Sequence, residues 1–166
     1  MNPLSDPSWK GNLIDSREQI RSMLMRTRRI AVLGMEKDQN RDRPAYYVPK
    51  YLIDVGFEVI PIPVKYPDLE QVAGRRAYHS VSEVPGDIDL VNVFRRPSDI
   101  PKHVDDILAK MPKAVWFQLG IRNDEAAEKF ARAGIEVVWK PFLALFGIGC
   151  VFFAIALLRF RKALTQ

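Results

Sequence analysis

The order of apolar runs along this 166-residue chain predicts an α/β fold, a parallel sheet with helices on both faces. Three observations carry that prediction. Short apolar, β-branched runs such as Ile30-Ala31-Val32-Leu33 alternate with segments whose apolar residues recur at helical spacing. The connections between them are short, as strand–helix–strand crossovers allow. Helix starts are marked by Ser, Asp or Pro, and helix ends by Gly. A chain of this length supports one domain with a real core. Its boundaries read as a flexible N-terminus at 1–14, the α/β domain at 15–140, and an apolar C-terminal helix with a basic tail at 141–166.

Taken in order, residues 1–13 are rich in turn formers and read as extended, with Trp9 assigned no role. Asp15 and Ser16 cap a helix running to about Arg28; Glu18 and Gln19 stand at capping-box positions, and Ile20, Met23 and Leu24 share a face. The first strand, Ile30–Leu33, stops at Gly34. A charged loop from Glu36 to Arg43 comes next, and Pro44 opens a helix with Tyr47, Val48, Tyr51, Leu52 and Val55 on its apolar side, closed by Gly56. Glu58–Ile62 alternates like a second strand, with Pro61 and Pro63 at its end. Gly74–Tyr78 reads as an edge strand or turn, and Ser80–Val84 as a short helical turn stopped by Pro85-Gly86. Asp89–Phe94 is a buried strand that runs into Arg95-Arg96-Pro97. A helix from about Ser98 to Lys110 carries Ile100, Val104, Ile107 and Leu108. Ala114–Gln118 is the fourth strand, Asp124–Ala133 a helix stopped by Gly134, and Glu136–Trp139 the last strand.

Composition narrows the function. The net charge of +5 suits an anionic ligand, but Lys and Arg are spread along the chain, so no nucleic acid partner is called for. A single cysteine, Cys150, excludes an intrachain disulfide and a Cys-rich metal site, and it fits a reducing cytoplasm. The N-terminal MNPLSDPSWKGN lacks the pattern of a signal peptide. His79 and His103 share no motif, and no metal site is expected.

Ligands of parallel sheets bind beyond the carboxyl ends of the strands, near the switch in strand order. That rule nominates Gly34 to Pro44, Pro63 to Lys65, Phe94 to Pro97 and Gln118 to Arg122. Arg41, Arg43, Lys65, Arg95, Arg96 and Arg122 lie among them, a set suited to a multiply phosphorylated ligand. Taken singly, each reads sooner as a solvated loop charge, and only their joint placement points to a ligand. Gly34 with Pro44 also places a helix start, with its unpaired N–H groups, beside a strand end. Glu36, Asp38, Asp42 and Tyr46 are nearby, but without His, Cys or a metal cluster they form no recognisable catalytic set.

The segments RRIAVLG, RDRPAYYVPKYLIDVGFEVIPI, DLVNVFRRPSDIP and KAVWFQLGIRNDEAAEKFARAGIEVV resemble the small single-domain CoA-binding proteins, whose fold is similar to the CoA-binding domain of the succinyl-CoA synthetase α subunit. The resemblance covers about residues 15–139. It implies a Rossmann-type domain that binds CoA or acyl-CoA without catalysis of its own. The loop after Gly34, with Met35 and Pro44, would hold the pyrophosphate. Arg41, Arg43 and Lys65 would face the adenosine phosphates. Phe94, Arg95, Arg96, Gln118, Gly120 and Ile121 would line the rest. The chain departs from the family's usual pattern at Met35-Glu36, where a small residue and a serine are expected, at Ala45, and at Pro63-Val64. Glu36 places a carboxylate where phosphate is to approach, so binding requires that it turn away or pair with Lys37 or Arg43.

The stretch 141–158, PFLALFGIGCVFFAIALL, carries no charge. At 1.5 Å per residue it is just long enough to cross a bilayer core of ~30 Å. It reads as a membrane tether, as a helix buried on the domain or in a homodimer, or as a non-native ending. The leading expectation is thus a cytoplasmic CoA-binding protein, tethered to a membrane if 141–158 spans one. An NADP-type dinucleotide-dependent oxidoreductase and a membrane-associated interaction protein with a degenerate nucleotide site are the alternatives.

Overall fold

The computed structural model describes residues 7–138. Six strands form one parallel sheet: β1 (Leu13–Ile14), β2 (Arg29–Leu33), β3 (Glu58–Ile62), β6 (Leu90–Val93), β7 (Ala114–Phe117) and β8 (Glu136–Val138). A separate antiparallel hairpin is made by β4 (Gln71–Val72) and β5 (Arg75–Arg76). The sheet order is β1-β8-β7-β6-β2-β3. From β2 the chain steps outward to β3, then returns to the other side of β2 and continues through β6, β7 and β8. The switch point therefore lies between β2 and β6, and the strand ends there are Leu33 and Val93, which pair directly.

Alternate residues of each strand face opposite layers, which is why the strands are largely apolar on both faces. On one face α1 (Arg17–Arg26) and α2 (Pro44–Asp54) pack Ile20, Met23 and Tyr46 against Ile30, Val32, Val59, Leu90, Trp116 and Val138. On the other, α3 (Val104–Lys110) and α4 (Asp124–Arg132) pack Ile107, Phe130 and Ala131 against Ala31, Leu33, Ile60, Val91, Val115, Phe117 and Val137. Phe117 and Phe130 meet with ring centroids 6.4 Å apart. The expected α/β sheet with helices on both faces is what forms, and Trp116 and Phe117 are core residues, as their place in an apolar strand predicts.

Four local expectations are corrected. Residues 7–14 are not loose: Pro7–Asn12 is a 3-10 helix, Asn12 Nδ2 donates to Ala131 O at 2.8 Å, and Leu13–Ile14 adds an edge strand beside β8. Trp9 packs against the core with the Arg132 guanidinium 4.5 Å from its ring centroid. The single helix expected over 98–110 splits into a 3-10 helix, Pro97–His103, and α3, because Pro101 within it has no N–H to continue an α ladder. Ser80–Val84 is bend and turn rather than helix, held by the Asp106 carboxylate accepting from Val81 N and Ser82 N. The expectations for Trp139, for the apolar segment 141–158 and for Cys150 lie outside the described residues.

At the sheet's amino end, Asp89 ties three segments together. Its carboxylate accepts from Arg28 N (2.8 Å), Arg29 N (2.9 Å) and Lys113 Nζ (2.7 Å). Burial pushes its carboxyl up, but these hydrogen bonds outweigh burial and hold it below the usual carboxylate range.

Candidate functional site

The turn at Gly34 sits at the switch point and is squeezed between two strand ends. Gly34 N donates to Ile62 O at 2.8 Å, and Phe94 N donates to Leu33 O at 2.8 Å. Gly34 has φ +90°, and a Cβ there would lie 2.5 Å from Phe94 O and 2.9 Å from Arg95 Cδ. Only glycine fits both the angle and the space. Met35 then turns inward and is fully buried, so it serves the core.

Glu36 occupies the middle of the site. Its backbone N–H donates to Ala45 O at 3.1 Å. That carbonyl is available because Pro49, four residues further along α2, has no N–H to offer it. The loop is thereby pinned to the first turn of α2, and the Glu36 side chain is held inward, 3% exposed. Its Oε1 accepts from Lys65 Nζ at 2.6 Å, and its Oε2 accepts from the Tyr66 hydroxyl at 2.7 Å and from Asn40 Nδ2 at 2.6 Å. Arg43 Nη1 stands 3.6 Å from Oε1. Burial alone would raise the carboxyl, but the bonds from Lys65, Tyr66 and Asn40 prevail and hold its pKa at about 2. Tyr66 moves the other way, its phenol pushed up by that bond to Glu36.

Of the outcomes anticipated for Glu36, the pairing with Arg43 is found, at 3.6 Å, alongside a closer one with Lys65. The carboxylate does not turn away, and its nearest cation is Lys65 rather than Lys37 or Arg43. Lys37 instead lies 5.0 Å from the Tyr66 ring centroid. Asp38 is likewise structural, accepting from the Tyr46 hydroxyl (2.8 Å) and from Ala73 N (3.1 Å), which fastens the loop to the hairpin.

The six cations separate into groups. Lys65 and Arg43 converge on Glu36. Arg95 lies beneath the Gly34 turn, its Nη2 3.3 Å from Asp99 and its buried Nε without a partner among the described residues. His103, expected on a helix surface, has a buried Nε2 also unpartnered among the described residues, and burial, then the Arg95 charge, lowers its pKa. Arg41 Nε donates to Asp38 O, Arg122 is bonded to Asp124, and Arg96 is exposed at the start of a 3-10 helix. Gly120 (φ +78°) makes the turn after β7, and Ile121 N closes it onto Gln118 O at 2.9 Å. Gln118 Nε2 donates to the buried Asn92 Oδ1 at 2.6 Å.

Asn40 falls within the nominated stretch Gly34 to Pro44 without being singled out, and Tyr66 and Asn92 lie outside the nominated residues. Asn40 and Tyr66 lie in segments that read only as loops. Asn92 interrupts an otherwise apolar strand, and that interruption is the signal that marks it. Among the described residues no group of three or more His, Cys, Asp or Glu is placed to hold a metal, and no helix is long and apolar enough to cross a membrane.

Known proteins share this arrangement of strands. The chain is 34% identical over 123 residues to the uncharacterized protein YneT of Bacillus subtilis, covering 74% of this chain and 87% of that protein. A solved Thermus thermophilus protein is 37% identical with a TM-score of 0.70, covering 75% of this chain and 91% of the other. A hypothetical protein of Pyrococcus horikoshii is 35% identical with a TM-score of 0.66, covering 75% and 84%. Residues 28–145 match the CoA binding domain, and the chain belongs to that family.

Proposed function

We propose that this chain binds CoA or acyl-CoA at the β2–β6 switch point and performs no chemistry of its own. The observation that carries the reading is the donor set around Glu36. Lys65, Arg43, Tyr66 and Asn40 already surround an anion, and donors that stabilise a carboxylate are of the kind that stabilise phosphate oxygens. Membership in the CoA binding domain family supports CoA as the phosphorylated compound. On this reading the Glu36 carboxylate gives way to a ligand phosphate, which inherits Lys65 and Arg43. The first turn of α2 after Pro44 adds its dipole. Phe94, Arg95 and Gln118 supply the floor along which the remainder of the ligand lies.

Calorimetric titration of the full chain with CoA, dephospho-CoA and NADP tests this. Tighter binding of CoA than of dephospho-CoA is the expected result. A preference for NADP favours the oxidoreductase reading instead. Silence with all three favours the second reading that the geometry itself suggests, a nucleotide site permanently closed by its own carboxylate and kept for interaction.

A further inference from the structure

We infer that the cavity between α1 and α2 receives the acyl chain of an acyl-CoA, with Asn92 and Gln118 meeting its carbonyl. The inference rests on the CoA reading above and extends it to the part of the ligand that carries no phosphate. The cavity measures about 320 Å³ and is walled by apolar side chains: Leu24 of α1, Val48 and Leu52 of α2, and Ile30, Leu90 and Trp116 of the sheet. That volume lies within the range of small-ligand pockets, and apolar walls with a few polar groups are their usual lining.

Two observations select an acyl chain as occupant. The first is the amide pair. Asn92 is 4% exposed, and its single side-chain hydrogen bond among the described residues is the one its Oδ1 accepts from Gln118 Nε2. Its own Nδ2 group has no side-chain or backbone partner among the described residues and is not sealed from water, and both amides belong to a mainly apolar wall that Tyr47 and Tyr51 complete. That donor faces the cavity, where a ligand with one carbonyl oxygen in an apolar body would take the place of water on it.

The second is continuity with the strand ends. Leu90 and Asn92 of β6 line the cavity; Phe94, two residues on along the same side, packs at the top of that layer, where its carbonyl contacts the Gly34 turn. Gln118 is both a cavity wall and the residue just past the end of β7. A ligand anchored by phosphate at Gly34 and running along Phe94 towards Gln118 reaches the mouth of this cavity with its distal end.

A methylene displaces about as much volume as a water molecule, ~30 Å³, so a chain of roughly eight to ten carbons fills the space. Each methylene leaving water contributes up to about a fourfold gain in affinity. Titrating the full chain with CoA and with acetyl-, butyryl-, octanoyl- and palmitoyl-CoA tests the inference. Affinity is expected to climb through octanoyl-CoA, at least tenfold above CoA, and to level off or fall at palmitoyl-CoA. Equal affinity for CoA and octanoyl-CoA overturns it while leaving the CoA reading intact. No binding of any of them overturns both. Leu24→Trp, which fills the cavity from α1, is expected to bring the octanoyl-CoA to CoA ratio towards one. An unchanged ratio in the folded variant assigns the cavity to another occupant and overturns the inference.

Discussion

Replacing Glu36 with Gln should make the protein less stable and a better CoA binder at once. The structure sets the size of both effects. A carboxyl held at about 2 instead of 4.5 favours its ionised form by about 3 kcal/mol in the folded state. A phosphate can take Lys65 and Arg43 only by displacing that carboxylate, so a large part of this preference opposes binding in the wild-type chain. A neutral amide at position 36 opposes displacement with the strength of neutral hydrogen bonds, about 1 kcal/mol. The difference of about 2 kcal/mol corresponds to roughly thirtyfold tighter CoA binding in Glu36→Gln. The same loss in the free protein lowers Tm by about 4–8 °C for a chain of this size. Calorimetry of CoA binding and a thermal melt on the two proteins measure the pair of effects. Equal or weaker CoA binding by the variant would falsify the idea that Glu36 holds the ligand's place.

The pH dependence of stability is set by the same group. Because the folded pKa of Glu36 is depressed, its contribution is fully present above pH 4.5 and is lost as pH falls towards about 2. The stability gap between wild type and Glu36→Gln, read from urea midpoints, should be constant from about pH 8 to 5 and close below that. Lys65→Met should weaken CoA by roughly ten- to a hundredfold and dephospho-CoA by less, if Lys65 meets the 3′-phosphate; the ratio of the two affinities is the readout. Gly34→Ala forces a Cβ to 2.5 Å from Phe94 O at φ +90°, and should cost about 2–4 kcal/mol or leave the protein insoluble. Asp89→Ala strands the N–H groups of Arg28 and Arg29 and should cost about 2–4 kcal/mol in urea unfolding, with CoA affinity unchanged because Asp89 lies at the opposite end of the sheet.

Much of the fold is legible along the chain because its signals are local. The strand at 30–33, the stop at Gly34, the start at Pro44 and the stripe on α2 need only neighbouring residues to be recognised. The edge strand Leu13–Ile14 is not legible for the opposite reason. Two residues carry no periodicity, and this pair is a strand only because Val137 and Val138 stand opposite it. Lys65 and Tyr66 sit 29 and 30 positions from Glu36, so the charges near the glycine turn are readable as a group but their geometry is not. One clue is within reach of the sequence. Pro49 inside a helix leaves the Ala45 carbonyl without its normal donor, and a buried carbonyl must find another. The loop amide that supplies it belongs to the residue after Met35, which is Glu36. The cavity has no such clue, since its walls come from α1, α2 and three strands that lie far apart along the chain.

On the proposed reading, the placement of Glu36 resolves a conflict that a ligand-free phosphate site carries. Lys65 and Arg43, brought to one strand end, repel each other. An internal carboxylate removes that repulsion while the site is empty, and its hydrogen bonds to Tyr66 and Asn40 keep the loop in the shape that a phosphate would need. The same bonds then stand against the ligand. Which effect dominates is decided by whether Glu36 can leave without dragging the loop with it. Two of its side-chain partners, Lys65 and Arg43, are long and about half exposed, while Tyr66 and Asn40 are part-buried and bonded to each other; its backbone is fixed to Ala45 by a bond that does not involve the carboxylate. On the proposed reading, breaking the bonds to Tyr66 and Asn40 lets the side chain rotate out while the Glu36 N–H to Ala45 O bond keeps the loop in register. Ala45→Pro isolates this point, because it leaves the Ala45 carbonyl in place but stiffens the helix start. If the placeholder acts by side-chain rotation alone, CoA affinity in that variant should stay within about threefold of wild type, a difference of less than about 1 kcal/mol.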